Sequence, residues 1–388
     1  MSDKTNFALI IAIWAAGLGA AAQYAKISVI FDRLGAYYPD AGVALGFVVS
    51  IVGFVGIAMG IFAGVFVARI RYRRALLWAM WAGAAISALQ AFMPPLPVLL
   101  ALRAGEGLSH LIMVVAAPTL IAQLSADRHR GLTLTLWSTF FSVAFSLLVA
   151  LGLPLVDAYG IPALFAAHAV WLAVFAIVLT VMLKPLNIPS PDTVLTLRGL
   201  VNEHIAIYRS PFLAAPAMGW LFYTFSFLAI LTVLPPFIAA DQRVFVMGMM
   251  PLVSIGVSMT FGVILLRVIG AIKVVQIGFL AAAACMIWLY FAPGMPLACL
   301  SLAGAFGLVQ GASFASVPQL NKTAQSQARA NGALVQTGNI GNTLGTPVML
   351  AVVAASGYAG LVLVTILGLT AGFFVHVWLS ARRKAASI

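Results

Sequence analysis

Apolar runs of eighteen residues or more recur along this chain, separated by short stretches rich in Gly, Pro and charged residues. At 1.5 Å per residue, each run is long enough to cross about 30 Å of hydrocarbon as a helix. The pattern predicts twelve spans, roughly 7–34, 42–67, 74–93, 97–124, 131–153, 161–183, 211–239, 244–266, 272–292, 296–320, 329–355 and 358–380. The longest polar break runs from Lys184 to Pro211 and carries Pro185, Pro189 and Pro191. Inside it, Leu197, Leu200, Val201, His204, Ile205 and Tyr208 share one helical face beside Arg198 and Arg209. That spacing fits a short helix lying on the membrane surface, with an irregular linker as the alternative. The break divides the chain into a six-span half at 1–184, a linker at 185–210 and a second six-span half at 211–388.

Composition agrees with the pattern. Of 388 residues, 63% are hydrophobic and 8% charged, and the mean hydropathy is +1.10. A soluble domain is about 25% charged, so the expected class is an all-α, multi-pass membrane protein. Its net charge of +12 follows from the enrichment of Lys and Arg in cytoplasmic loops. With the N-terminus inside, 17 of the 21 basic residues are cytoplasmic: Lys4, Arg69, Arg71, Arg73, Arg74, Arg128, Arg130, Lys184, Arg198, Arg209, Arg267, Lys273, Lys322, Arg329, Arg382, Arg383 and Lys384. Arg33 and Arg243 fall outside, and Lys26 and Arg103 fall within spans. Both termini are therefore expected in the cytoplasm, with the chain in a bacterial inner membrane. Lys4 and the small residues at Ala20 and Ala22 mimic a signal peptide, but the run continues past Ala25 as a first span.

Several function classes drop out. Cys285 and Cys299 lie in apolar runs, so neither a disulfide framework nor a zinc spacing is present. No phosphate-binding glycine loop occurs, which argues against transport driven directly by ATP. No catalytic constellation, metal site or cofactor is expected, so the chain does not read as an enzyme. The arginines at 69–74 sit between two spans and read as a membrane-side turn contacting lipid, not as a nucleic-acid patch.

The two halves repeat. "GVFVARIRYRR" at Gly64 is answered by "GVILLRVIGAIK" at Gly262, 198 residues later. "PPLP" at Pro94 is answered by "PGMP" at Pro293, and Arg130 by Arg329, both at an offset of 199. Three matches at nearly one offset indicate duplicated halves, as in many secondary transporters. Over its full length the chain resembles the major facilitator superfamily. In the basic loop after span 2, Gly64, Arg69, Arg73 and Arg74 fit, while Ala68 replaces the usual aspartate and Arg71 the usual second glycine. "RAGEG" at Arg103–Gly107 is similar to the family's span-4 motif, with Glu106 in place of glutamine. The resemblance implies that spans 1, 4, 7 and 10 line a cavity, that spans 3, 6, 9 and 12 face lipid, and that one chain works alone.

Charge inside a span costs about 2.5–3.5 kcal/mol, so it marks candidate chemistry. Arg103, Glu106 and His110 follow at i, i+3 and i+7 on one face of span 4, and Lys26 lies at a similar depth with Gln23 and Tyr24 beside it. The expected roles are proton coupling for Glu106 and His110, and gating for Arg69, Arg73, Arg74 and Arg103. Substrate contacts are expected from Gln23, Lys26, His110, Tyr223, Gln310, Gln336 and Asn339. Structural alternatives stand beside these roles: an Arg103–Glu106 pair that stiffens span 4, a neutral His110 bonded to a carbonyl, and a Lys26 that snorkels outward. His168 and His376 read as structural, and Asp32 and Arg33 as solvated. The second half offers the aromatic run at Trp220, the stripe Gln336, Asn339 and Thr343, and Gly332, Gly341, Gly345 and Pro347. Ser138, Ser142 and Ser146 recur every fourth residue in span 5 and read either as pore-facing groups or as helix-packing glue.

These residues predict alternating-access transport of a small organic solute, an anion being one candidate class, coupled to protons or another ion. A proton-driven exporter of amphipathic compounds is the alternative. A passive channel would need a polar path through both halves, and the second half supplies no buried charge.

Overall fold

The computed structural model describes residues 5–41, 44–183 and 197–385. Lys4, Lys184 and the prolines at 185, 189 and 191 lie outside the described residues, as do the side chains of Asp32, Leu197 and Arg198. The described residues are all-helical, with no strand. The main helices are α1 (Phe7–Val29), α2 (Ala44–Ile70), α3 (Tyr72–Gln90), α4 (Leu96–Leu124), α5 (Asp127–Tyr159), α6 (Ile161–Met182), α7 (Leu197–Arg209), α8 (Ala214–Val233), α9 (Ala240–Val268), α10 (Ala271–Phe291), α11 (Pro296–Leu320) and α12 (Ala324–Ala385). Ten of them are long and apolar enough to cross a membrane; the nineteen-residue α3, with Arg73 and Arg74 in its first turn, and the linker helix α7 are the exceptions. The chain is a multi-pass membrane protein.

Local chemistry sets the helix ends. The side chain of Asn6 accepts a hydrogen bond from the Leu9 N–H at 3.1 Å and so caps α1. Prolines open α4, α6 and α11, where a missing N–H costs nothing. The boundary expected between spans 11 and 12 falls inside α12, a 62-residue helix interrupted at Gly357, whose φ is +61°. Only glycine adopts that geometry freely, so one residue turns the chain without unwinding its neighbours.

Among the boundaries that differ from expectation, three are set by local features. Helix α1 ends at Val29, short of 34, because the Ile30 N–H bonds back to Ile27 O and a separate helix, Phe31–Tyr37, follows. Helix α5 begins at Asp127, four residues before the expected start, since an acidic first turn suits the positive helix end. It then runs to Tyr159 through a π segment, Leu148–Gly152.

The chain divides into two compact units. One comprises Met1–Ala126 and Thr139–Val194, the other Asp127–Ser138 and Leu195–Ile388. In the first, Ile27, Ile30, Leu34, Val48, Leu99 and Phe165 form an apolar cluster. In the second, Tyr223, Ile230, Phe279, Met286 and Phe306 lie in a larger one. The linker segment does form a helix, α7. Its Val201 and Ile205 are exposed and Ile207 is buried. Tyr208 donates to Gln336 Oε1 at 2.8 Å, and Glu203 pairs with Arg329, so both bonds join α7 to the start of α12.

Candidate functional site

The ionisable residues predicted on α1 and α4 meet. Lys26 Nζ lies 2.5 Å from Glu106 Oε1, and Arg103 Nη1 bonds Glu106 Oε2. All three side chains are wholly buried, so Lys26 does not snorkel to the surface. A charge so placed is tolerable only when paired and hydrogen-bonded. Arg103 Nε also donates to Val48 O at 2.8 Å, and Nη1 to Gln23 O at 2.6 Å. Two cations thus share one carboxylate. Arg103 Nη2 stays buried with no hydrogen-bond partner among the described residues.

Three further partners come from α3 and α6, helices expected to face lipid; each exposes apolar side chains such as Trp78 and Val170 on one face and reaches the cluster with another. From α3, Gln90 bridges the pair, accepting from Lys26 Nζ at 2.8 Å and donating to Glu106 Oε2 at 2.9 Å. Ser87, one turn earlier, accepts from Lys26 at 3.0 Å. From α6, His168 Nδ1 stands 3.0 Å from Lys26 Nζ. The same ring places Nε2 2.9 Å from the Gly19 carbonyl. A carbonyl only accepts, so Nε2 carries the proton, and the Nδ1 lone pair lies between Lys26 Nζ and Ser87 Oγ, the latter at 2.8 Å; the three ammonium protons of Lys26 are shared among these acceptors. His168 therefore touches the charge cluster directly, beyond the structural role expected of it. Ser87 and Gln90 at i, i+3 were the available signal in α3.

His110 does not join the cluster. Its Nδ1 faces the Ala20 carbonyl at 2.8 Å, and Tyr24 lies edge-on at 5.2 Å. Gln23 turns aside as well, donating to Ser109 Oγ at 2.9 Å. Arg33 pairs with Asp157 at 2.7 Å with both side chains solvated.

The family model of the Major Facilitator Superfamily matches residues 9–346. The chain belongs to the major facilitator superfamily. Its members are transporters and not enzymes. Among solved structures, the human organic anion transporter MFSD10 (TETRAN) is 15% identical, with a TM-score of 0.80 over 95% of this chain and 98% of that one. The Escherichia coli fucose:proton symporter FucP is 17% identical, with a TM-score of 0.76 over 96% and 98%. The proton:xylose symporter XylE is 14% identical, with a TM-score of 0.76 over 97% and 95%. At such identities the likeness is one of fold. No curated protein matches the sequence.

In the second unit of this superfamily member, the candidate residues hold one another. Tyr223 donates to Gln310 Oε1 at 3.0 Å, and Gln310 Nε2 bonds the Ser138 carbonyl. Tyr223 stacks on Trp220 and Phe227, with ring centroids 4.6 and 5.2 Å away. Gln336 accepts from Tyr208, and Asn339 donates to Val335 O in its own helix at 2.9 Å. Ser138 here, and Ser146 in the first unit, bond carbonyls of their own helical turns at 2.7 and 3.0 Å. His376 is buried over Gly219 and beside Phe279.

The basic loop characteristic of the superfamily is a tight helix junction here. Arg73 donates to Leu183 O at 2.5 Å and Thr180 O at 3.0 Å, satisfying the last carbonyls of α6. Arg74 lies 6.0 Å over the Trp78 ring, and Arg69 is exposed. Arg71 occupies a left-handed backbone position, with φ at +74°.

Proposed function

We propose that this chain is a proton-coupled secondary transporter of a small organic anion, working by alternating access as a single chain. The observation that carries this reading is the imbalance of the buried cluster. Two cations face one carboxylate, and a guanidinium nitrogen of Arg103 lacks an acceptor. A buried donor left unpaired costs about 1–3 kcal/mol, and a carboxylate or similar oxyanion would satisfy it. Protonation of Glu106 would release Lys26 and Arg103 to an anionic solute; its deprotonation would draw them back. Gln23 and His110 are further candidates for solute contact in this unit, and Tyr223, Gln310, Gln336 and Asn339 are the candidates within the second. Arg69, Arg73 and Arg74 would steady the junction that moves. The named neighbours support each half of this reading, two being proton symporters and one an organic anion transporter.

Twelve crossings follow if α3 spans and α12 crosses twice about Gly357, which gives six on each side of the linker. The distribution of basic residues then supports cytoplasmic termini in a bacterial inner membrane. Proton-driven export of amphipathic compounds is the competing reading, supported by the aromatic group around Trp220, Tyr223 and Phe314.

The decisive test uses proteoliposomes under an imposed proton gradient and a panel of labelled organic anions. Accumulation should collapse with a protonophore and vanish in Glu106→Gln, which can still exchange solute for solute. Accumulation of an anion that ignores the protonophore would rule out proton coupling. A response to lipophilic cations alone would favour the exporter.

A further inference from the structure

A cavity of about 770 Å³ opens in the second unit where the first turn of α5 meets the ends of α9 and α11. Arg128, Arg130, Arg267 and Lys322 line it, against one carboxylate, Asp127. Asp127 is already engaged, its Oδ1 2.7 Å from Arg130 Nη2. Among the described residues, Arg128, Arg267 and Lys322 have no carboxylate partner. Three cations thus border one hollow, beside the positive end of a helix. Like charges so grouped repel one another unless an anion joins them.

The rest of the lining indicates which anion. Val263, Leu266 and Pro318 make part of the wall apolar. On the same helix as Val263 and Leu266, Phe261, Ile264 and Val268 recur at i, i+3 and i+7 with 66%, 56% and 77% of their surface exposed. An apolar strip on a membrane helix lies against acyl chains, and here Ile264 and Val268 flank Arg267 of the cationic hollow along the chain, at i−3 and i+1. A free phosphate would be held by the same cations but would leave this strip unused.

We propose that the cavity is a binding site for an anionic phospholipid. Its phosphate would rest on Arg128, Arg267 and Lys322, and its acyl chains would lie along Phe261, Ile264 and Val268. The site is separate from the Lys26–Glu106 cluster and does not depend on what the protein carries. It would tie the ends of α5, α9 and α11 to the leaflet they contact.

The test uses the purified full chain, with retained lipid read by native mass spectrometry and stability by thermal unfolding. The probes are dioleoylphosphatidylglycerol, dioleoylphosphatidylcholine and inorganic phosphate. Phosphatidylglycerol alone should remain bound and raise Tm. Each basic side chain near an anionic lipid contributes roughly fivefold. The triple change Arg128→Gln, Arg267→Gln and Lys322→Gln should therefore weaken retention by about a hundredfold. Single changes of roughly fivefold each keep the series readable if the triple variant fails to fold. A control carrying Arg209→Gln, Arg382→Gln and Lys384→Gln removes equal charge elsewhere and should keep the lipid. Equal losses in both triple variants would reduce the effect to net charge and overturn the site. Protection by inorganic phosphate matching that of the lipid would overturn the lipid assignment.

Discussion

Lys26 and Glu106 meet across α1 and α4 at 2.5 Å with no solvent reaching either side chain. Arg103 holds the second carboxylate oxygen, so the two partners are not equivalent. Loss of Lys26 leaves a balanced Arg103–Glu106 pair, whereas loss of the Glu106 charge strands two cations. Breaking a buried pair on one side costs about 3–5 kcal/mol. Glu106→Gln should fall in or above that range, and Lys26→Met clearly below it. Thermal unfolding of the two variants measures the difference. A larger loss for Lys26→Met would mean that Arg103 does not neutralise Glu106.

His168 points a ring lone pair at Lys26 and is oriented by the Gly19 carbonyl. His168→Leu removes an acceptor shared by the buried Lys26 ammonium and the Ser87 hydroxyl and should cost about 1–3 kcal/mol, with transport falling alongside. His168→Asn keeps an acceptor near the Nδ1 position and should recover much of both. Nitrogen-15 spectra of labelled protein should show the proton on Nε2. A signal from the Nδ1–H tautomer would remove the Lys26 contact.

The parts visible in the sequence were those carried by spacing. Run length located the helices, and Arg103, Glu106 and His110 stood out because charge is rare in such runs. Gly357 lies where the pattern placed the turn between the last two spans. His168, Ser87 and Gln90 were harder to read, because a few polar residues in a uniformly apolar helix do not fix its rotation. His110 shows the limit from the other side. It shares the face of Glu106 by spacing, yet the Ala20 carbonyl draws its ring away. The polar stripe on α12 likewise looked free in sequence, whereas Tyr208 from α7, distant along the chain, bonds Gln336.

Close approach of helices explains the glycines of α12. A Cβ on Gly341 would strike the Thr224 hydroxyl and lie 2.7 Å from both Leu221 O and Phe225 N, and one on Gly345 would meet the Phe225 carbonyl. These contacts are with backbone, which cannot swing aside. Gly341→Ala should therefore cost about 1–3 kcal/mol, as overpacking does. Gly256 in α9 has open space around its Cβ position. Gly256→Ala should be neutral or gain up to about 1 kcal/mol from helix propensity. Thermal unfolding of both variants checks this. Equal tolerance at the two sites would mean that α8 and α12 are not in backbone contact.

Arg71 sits at φ +74° and ψ +129° between α2 and α3, where the superfamily resemblance calls for glycine. A side chain at such a position costs about 1–3 kcal/mol. Glycine would relieve that strain, less about 0.4–1 kcal/mol for the greater freedom it gives the unfolded chain. Arg71→Gly should therefore raise stability by about 1 kcal/mol. The change also removes an exposed positive charge, so charge must be separated from strain. Arg71→Ala removes the same charge but keeps Cβ, and it should give no gain. Thermal unfolding of the two variants in one detergent decides the matter. If alanine stabilises as much as glycine, relief of repulsion among Arg69, Arg73 and Arg74 is the cause and the strained junction is not. If glycine alone stabilises, arginine stands at this turn at a cost to the fold, consistent with a charge kept for the membrane surface beside it.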